Sequence, residues 1–441
     1  MKLRLLILPM ILGVAATAIA QDDVLQIFEN NVYTPLPWSQ VDNITFDSKD
    51  QMILFKDTDG YFTKFSVKDP LDLISGPALP LIEVNTDVFV KEVTSKVDYL
   101  TGKFSLKGFG EYDDNEVDVS IRGRGNSSWT QFPKKPYRLK FSKKQKLCGL
   151  TSAKNYVLLA NYTDPSFLQF ALATKVAKWF GLPYTNTVVP VDMVFNGIYK
   201  GTYLLTDKPG INAGSVDIDE ENSVMWEIDT NFDEDFKFTS NTYRLPVMLV
   251  DPDMEYATFQ NWRTDYENME RAVRESRASE VIDLDAYARF ILIYEIFAND
   301  ELKHPKSLKL YKEAGDKYTF GPIWDFDCAF GYYWADRLEW HERYTTWDVD
   351  KPSQKIQFLK DINKDPITVA AVKKYWDQVK DKLPELLEYI DECADRIRSS
   401  ANRNKAVWPD LDGFDKSIES LKNWLTLRYK YLPNIIATEY R

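Results

Sequence analysis

The sequence predicts an α+β protein: a β-rich first half, a helix-rich second half, and a small β module in front of both. Three observations carry this. Apolar residues alternate at period two through "LIEVNTD", "GKFSLKGFG" and "EVDVSIRGRG", between Leu81 and about Phe141. Asp59-Gly60 and Asn196-Gly197 sit between such runs as hairpin turns. From Thr258 onward the period becomes helical, in "WRTDYENMERAVRESR" and "DLDAYARFILIYEIFAND".

Taken in order, "MKLRLLILPMILGVAATAIA" has Lys2 and Arg4, an apolar run and small residues at Ala18 and Ala20, the pattern of a secretory signal over residues 1–20. Its apolar run of about 16 residues is short against the roughly 20 that span a bilayer. The expectation is therefore a secreted, periplasmic or cell-surface protein without a transmembrane segment once the signal is removed. Residues 21–80 read as short strands, and Pro77 and Pro80 mark a boundary. Residues 81–441 form the main unit, β-rich over 81–250 and helical over 251–441. Within it "DPSFLQFALATKVAKWFGL", residues 164–182, predicts a helix with Asp164 at the cap, Pro165 in the first turn and Gly181 past the end. A strand pair in "SLKLYKEAGDKYTFGPIWDFD" interrupts the later helices.

Composition removes several classes of function. A net charge of -12 argues against nucleic-acid binding, which needs a basic footprint. Cys148, Cys328 and Cys393 lack metal-ligand spacing and give no disulfide scaffold; one bridge would leave one thiol free. With only His304 and His341, a His-rich metal site is unavailable and a Ser-His-Asp triad is poorly provisioned. Chemistry must run on carboxylates, amines and hydroxyls.

Against that acidic background, "IRGRGNSSWTQFPKKPYRLKF" packs Arg122, Arg124, Lys134, Lys135, Arg138 and Lys140 into one strip, with Asn126 and Ser127 in its turn. Glycines that let backbone N–H groups turn toward a ligand, followed by a strand bearing Lys and Arg, suit phosphate oxygens. Lys135 is expected on one face with Tyr137 and Leu139, and Arg138 with Lys140 on the other. An ordinary solvated hairpin is the competing reading. In "GPIWDFDCAFG", Asp325 and Asp327 follow an apparent apolar strand, and strand spacing would aim both carboxylates to one side as hard oxygen ligands for a cation. A structural pair capping a turn is the alternative. In "FANDELKHPKS", Asp300 and Glu301 end an apolar helix, where either could orient or deprotonate a hydroxyl nucleophile; solvated charges in a loop are the plainer reading. "DTNFDED", Asp229 to Asp235, imitates a calcium loop, but Glu234 stands at the glycine position and Ser240 at the twelfth, so it reads as an acidic surface loop.

The motifs "IRGRGNSSW", "FPKKPYRLKF", "YLLTDK", "FAND...HPKSLKLYK" and "IWDFDCAFG" occur in the order seen in the spore coat protein H (CotH) kinase-like family, which the chain resembles from about Leu81 to Arg441. The resemblance implies an atypical protein-kinase-like two-lobed fold, a β-rich N-lobe and a helical C-lobe, that binds ATP with Mg or Mn. By that resemblance Arg122, Arg124, Asn126 and Ser127 line the nucleotide site, Lys135, Arg138 or Lys140 meets phosphates, and Asp325 with Asp327 holds metal. Asp300 or Glu301 supplies the base. Ser307 stands where such members have Asn, and the helix from Pro165 to Phe180 has no Glu to pair with a strand lysine. Two readings follow. One is a kinase acting on Ser or Thr of an exported acceptor protein. The other is a non-catalytic cell-envelope or spore-coat scaffold, using aromatics in "FGYYWADRLEWHERYTTW", residues 330–347. Metal-assisted hydrolysis of a phosphate or glycan would draw on the same carboxylates.

Overall fold

The computed structural model describes residues 23–47, 49–66, 71–303, 305–331 and 354–441. The first twenty residues, His304 and the aromatic stretch from Tyr332 to Trp347 lie outside these, and so does the side chain of Asp300. Strands β1 (Val24–Glu29), β2 (Val32–Pro37) and β6 (Leu71–Gly76) pair in the order β2-β1-β6, and β3 (Val41–Asp47), β4 (Met52–Asp57) and β5 (Phe62–Ser66) form a second sheet. Their alternating apolar positions meet in a small core of Leu25, Ile27, Ile53, Phe55 and Phe65.

The next seven strands close into a barrel, which the sequence reading did not anticipate. They are β7 (Leu81–Thr86), β8 (Leu100–Lys107), β9 (Asn115–Gly123), β10 (Tyr137–Gln145), β11 (Ala153–Leu159), β12 (Val189–Phe195) and β13 (Ile198–Asp207), in the order β10-β11-β13-β12-β7-β8-β9. Pairing of β9 with β10 closes the ring, and the pair β7–β12 is parallel. Closure leaves no open sheet edge. Inward residues such as Ile82, Phe104, Ile121, Leu139, Tyr156 and Tyr203 fill it. Asn196 and Gly197, with φ of 48° and 78°, make the two-residue turn between β12 and β13.

A five-stranded sheet, β15-β16-β14-β17-β18, follows, from β14 (Ser223–Ile228), β15 (Lys237–Thr239), β16 (Pro246–Asp251), β17 (Leu308–Glu313) and β18 (Thr319–Phe320). The helices are α1 (Ser127–Thr130), α2 (Gln169–Trp179), α3 (Tyr256–Arg274), α4 (Ala278–Val281), α5 (Leu284–Ile296), α6 (Gln354–Asn363), α7 (Pro366–Val379), α8 (Leu383–Val407) and α9 (Phe414–Glu439). The chain is thus α+β. Helix α2 begins four residues later than its cap signal predicts. Leu168, not Asp164, takes the N-cap position, and Asp164 accepts from Ser166 N and Gln169 N across an intervening loop. The sheet and the helices share the largest core, around Trp226, which is fully buried against Phe238, Phe259 and Tyr266. Among the described residues no helix is long and apolar enough to cross a membrane, and all three cysteines are free thiols.

Candidate functional site

Where one end of the barrel meets the five-stranded sheet, a cleft of about 450 Å³ brings the cationic strip and the Asp pair together, although they lie some two hundred residues apart. Its first wall comes from β9 and β10. Ile121, Tyr137 and Leu139 point into the barrel, so period two turns Arg122 and its cross-strand partner Arg138 outward into the cleft. Arg138 Nη2 donates to Asn155 Oδ1 at 3.0 Å. The Nε atoms of Arg122 and Arg138 are buried without a protein acceptor. Burial first, and then the adjacent Arg122 and Arg124, holds the Arg138 guanidinium below its ordinary pKa. Arg124 stands 5.7 Å from the centroid of the Trp324 ring, and Asn126 Oδ1 accepts from Lys96 Nζ at 2.7 Å. Gly123 has a packing role: a Cβ there would come within 2.3 Å of the Trp129 ring. Gly125 carries the turn with φ of 81°.

The opposite wall is acidic. Asp325, Asp327 and Glu301 all line the cleft. The segment holding the Asp pair is irregular and Asp325 has φ of 52°, so the strand expected there does not exist. The two carboxylates share the cleft because the backbone turns between them. Ser307 Oγ donates to Asp325 Oδ2 at 2.8 Å, and Thr163 Oγ1 donates to Asp327 Oδ2 at 2.9 Å. Asn299 Nδ2 holds Asp325 O at 2.9 Å and its Oδ1 accepts from Glu301 N at 3.0 Å, tying the end of α5 to the pair. Burial, and then repulsion from Asp325, pushes the Asp327 carboxyl up. Glu301 is pushed up to about 8 by burial and then by Asp325 and Asp327, with the Cys328 thiol opposing through a hydrogen bond.

The residues singled out from sequence thus separate. Arg122, Arg124, Asn126, Ser127, Arg138, Glu301, Asp325 and Asp327 line one cleft. Lys135 lies before β10, not on it; its Nζ donates to Trp129 O and sits 5.5 Å from that ring's centroid. Lys140 is exposed beside Tyr99. Lys134 is fully buried, donates to Thr202 O and to Asn404 Oδ1, and has its pKa held well below the ordinary value by burial.

Sequence reasoning missed other cleft residues: Lys208, Thr163, Asp229, and the close ion pair Lys309–Glu227 of β17 and β14. Lys208 ends the quoted "YLLTDK", so its signal was visible. Thr163 and Glu227 carried no local signal, because their roles come from tertiary contact. No curated protein matches the chain. The family model described as CotH kinase protein matches residues 121–432, which span both walls of the cleft, and the chain belongs to that family.

Proposed function

We propose that the cleft binds a divalent metal–nucleotide complex and directs its γ-phosphoryl group to a Ser or Thr hydroxyl of an exported protein, the barrel and the helical part acting as the two lobes of a kinase-like enzyme. One observation carries the reading: three mutually repelling carboxylates, Glu301, Asp325 and Asp327, face Arg122, Arg124 and Arg138 across a single cleft. Two carboxylates are the protein's share of such a site, since the described residues contain no group of three or more His, Cys, Asp or Glu placed to hold a metal, and phosphate oxygens would supply further ligands. Asp325 and Asp327 offer hard oxygens that would hold Mg²⁺ or Mn²⁺, while the guanidinium groups of Arg122, Arg124 and Arg138, which line the same cleft, would meet phosphate oxygens. When bound, the metal–nucleotide supplies the electrophilic phosphoryl group.

This chain's residues do the rest. Arg122, Arg124 and Arg138 orient the phosphates and offset charge that develops on them. Ser307 and Thr163 fix the two Asp carboxylates by hydrogen bonds to their Oδ2 atoms. Glu301, pushed up to about 8 by burial and by the Asp325 and Asp327 carboxylates, would become the base for the acceptor hydroxyl once a cation held by that pair offsets their charge. The leader-like first twenty residues support an acceptor outside the cytoplasm.

Product identity tests the proposal. Incubation of the protein with γ-labelled ATP, Mn²⁺ and a secreted-protein fraction is expected to place label on Ser or Thr, and Asp327→Asn to remove it. Release of free phosphate alone would replace phosphoryl transfer with hydrolysis. Label arriving from α-labelled ATP would replace it with nucleotidyl transfer.

A further inference from the structure

The acidic run that reads from sequence as one surface loop is divided by the fold. Asp233, Glu234 and Asp235 are exposed, but Asp229, at the end of β14, is only 5% exposed. Its two carboxylate oxygens do different things. Oδ1 accepts from Asn231 N at 2.7 Å and shapes its own turn. Oδ2 accepts from Ser307 N at 3.1 Å, across the gap to the segment that leads into β17. Thr230 N donates to Pro305 O at 3.2 Å beside it, and the pairing of Ile228 with Leu308 begins immediately beyond.

Ser307 needs such a hold. Its φ is 52°, a left-handed conformation that L residues adopt at a cost and keep only where the surroundings enforce it. In that conformation its N–H meets Asp229 and its Oγ donates to Asp325 Oδ2 at 2.8 Å. Asp325 is left-handed too, with φ of 52°, and belongs to no regular element. Two residues in costly backbone conformations are therefore joined in series to one buried carboxylate at the end of a regular strand. A mere loop staple could use a neutral acceptor, since a buried carboxylate costs more to desolvate than an amide. Asparagine, however, offers one acceptor oxygen, and this site uses two.

We propose that Asp229 is a positioning residue for the cleft: it fixes Ser307, and through the Ser307 hydroxyl it sets the carboxylate of Asp325. This rests on the reading of Asp325 as a cation ligand, but its geometry can be tested apart from that reading. In the full chain without ligand, hydrogen exchange is measured over 305–309 and 324–327 for the wild type, Asp229→Ala, Ser307→Ala and the double variant. Loss of one hydrogen bond to a charged group is expected to speed exchange at 324–327 about tenfold in each single variant. The double variant should be no faster than the faster single, because both changes cut one chain of contacts. Asp229→Asn should fall between. If Asp229→Ala does not fold, Ser307→Ala and Asp229→Asn carry the comparison.

The second reading is the Mn²⁺ concentration that half-saturates ATP binding, expected to rise about tenfold in both single variants and no further in the double. Looser exchange confined to 305–309, or additive effects at 324–327, would overturn the clamp. A wild type that binds no Mn²⁺–ATP but shows the coupled exchange would remove the functional reading and leave the clamp standing. Binding with unmoved exchange and unmoved Mn²⁺ dependence would do the reverse.

Discussion

Two polar clusters in this protein, one buried in a seam and one half-buried in the cleft, handle charge in opposite ways. In the seam where α8 packs on the barrel, Asp192 is fully buried and receives four donors: Tyr199 Oη at 2.6 Å and Thr202 Oγ1 at 3.0 Å on one oxygen, Ser400 Oγ and Arg403 Nη2, both at 2.8 Å, on the other. Arg403 also donates to Gln26 Oε1 at 2.7 Å, which ties the N-terminal sheets into the same cluster. In the cleft, Asp325 and Asp327 each receive one hydroxyl, and their like charges crowd Glu301. The seam spends its charges on one another. The cleft holds carboxylates against their mutual repulsion, and this crowding sets it apart, since a guanidinium Nε buried without an acceptor occurs in both clusters, at Arg403 as at Arg122 and Arg138.

Breaking the seam should give the largest effect. Removal of one partner of a buried pair strands the other, so Arg403→Ala is expected to cost about 3–5 kcal/mol in urea unfolding. The same seam variant should leave ATP affinity of the folded fraction unchanged, read by equilibrium dialysis below the unfolding transition. Changes in the cleft should show the opposite profile. Asp325→Asn and Asp327→Asn are expected to lower metal-dependent ATP binding about a hundredfold, while urea midpoints hold or rise because a like-charge contact is relieved.

A further buried carboxylate sharpens the comparison. Glu270 on α3 is fully buried, accepts from Tyr243 N at 3.2 Å, and is pushed up from 4.5 to about 7, mainly by burial. Its folded-state pKa is raised, so folding favours the protonated form: the stabilisation is full below about 4.5 and is lost as pH rises toward 7. Glu270→Gln should therefore flatten the fall in stability across that window by about 3 kcal/mol, measured by urea unfolding at several pH values. Smaller still, Arg124→Ala should weaken ATP binding about tenfold through lost charge-assisted contacts. Lys140→Ala, out of the cleft, should change ATP affinity by less than about twofold.

What the sequence revealed follows from which signals are local. Alternation in "EVDVSIRGRG" and the Asn196-Gly197 turn are local, and the strands and the hairpin sit where they predict. Closure of the barrel depends on the parallel pairing of β7 with β12, more than a hundred residues apart, and no short stretch encodes that. The strip was legible as a cationic feature, but Lys134, Lys135, Arg138 and Lys140 look equivalent on paper. Only the strand start at Tyr137 decides that Arg138 faces the cleft while Lys135 folds back on Trp129. Asp229 was hidden because three exposed acids follow it closely and share its composition. The strand expected at Asp325 failed because a left-handed residue there breaks the pleat, and β propensity cannot register this.

Under the proposed function, Asp325 and Asp327 would hold a divalent cation on which nucleotide binding depends. Calorimetric titration of ATP into the protein, with and without Mg²⁺ or Mn²⁺ and beside Asp327→Asn, tests it most directly. The account predicts binding that requires the divalent ion and is lost in the variant. Absence of binding, or binding indifferent to both the ion and Asp327, would contradict it and leave the cleft as part of a scaffold.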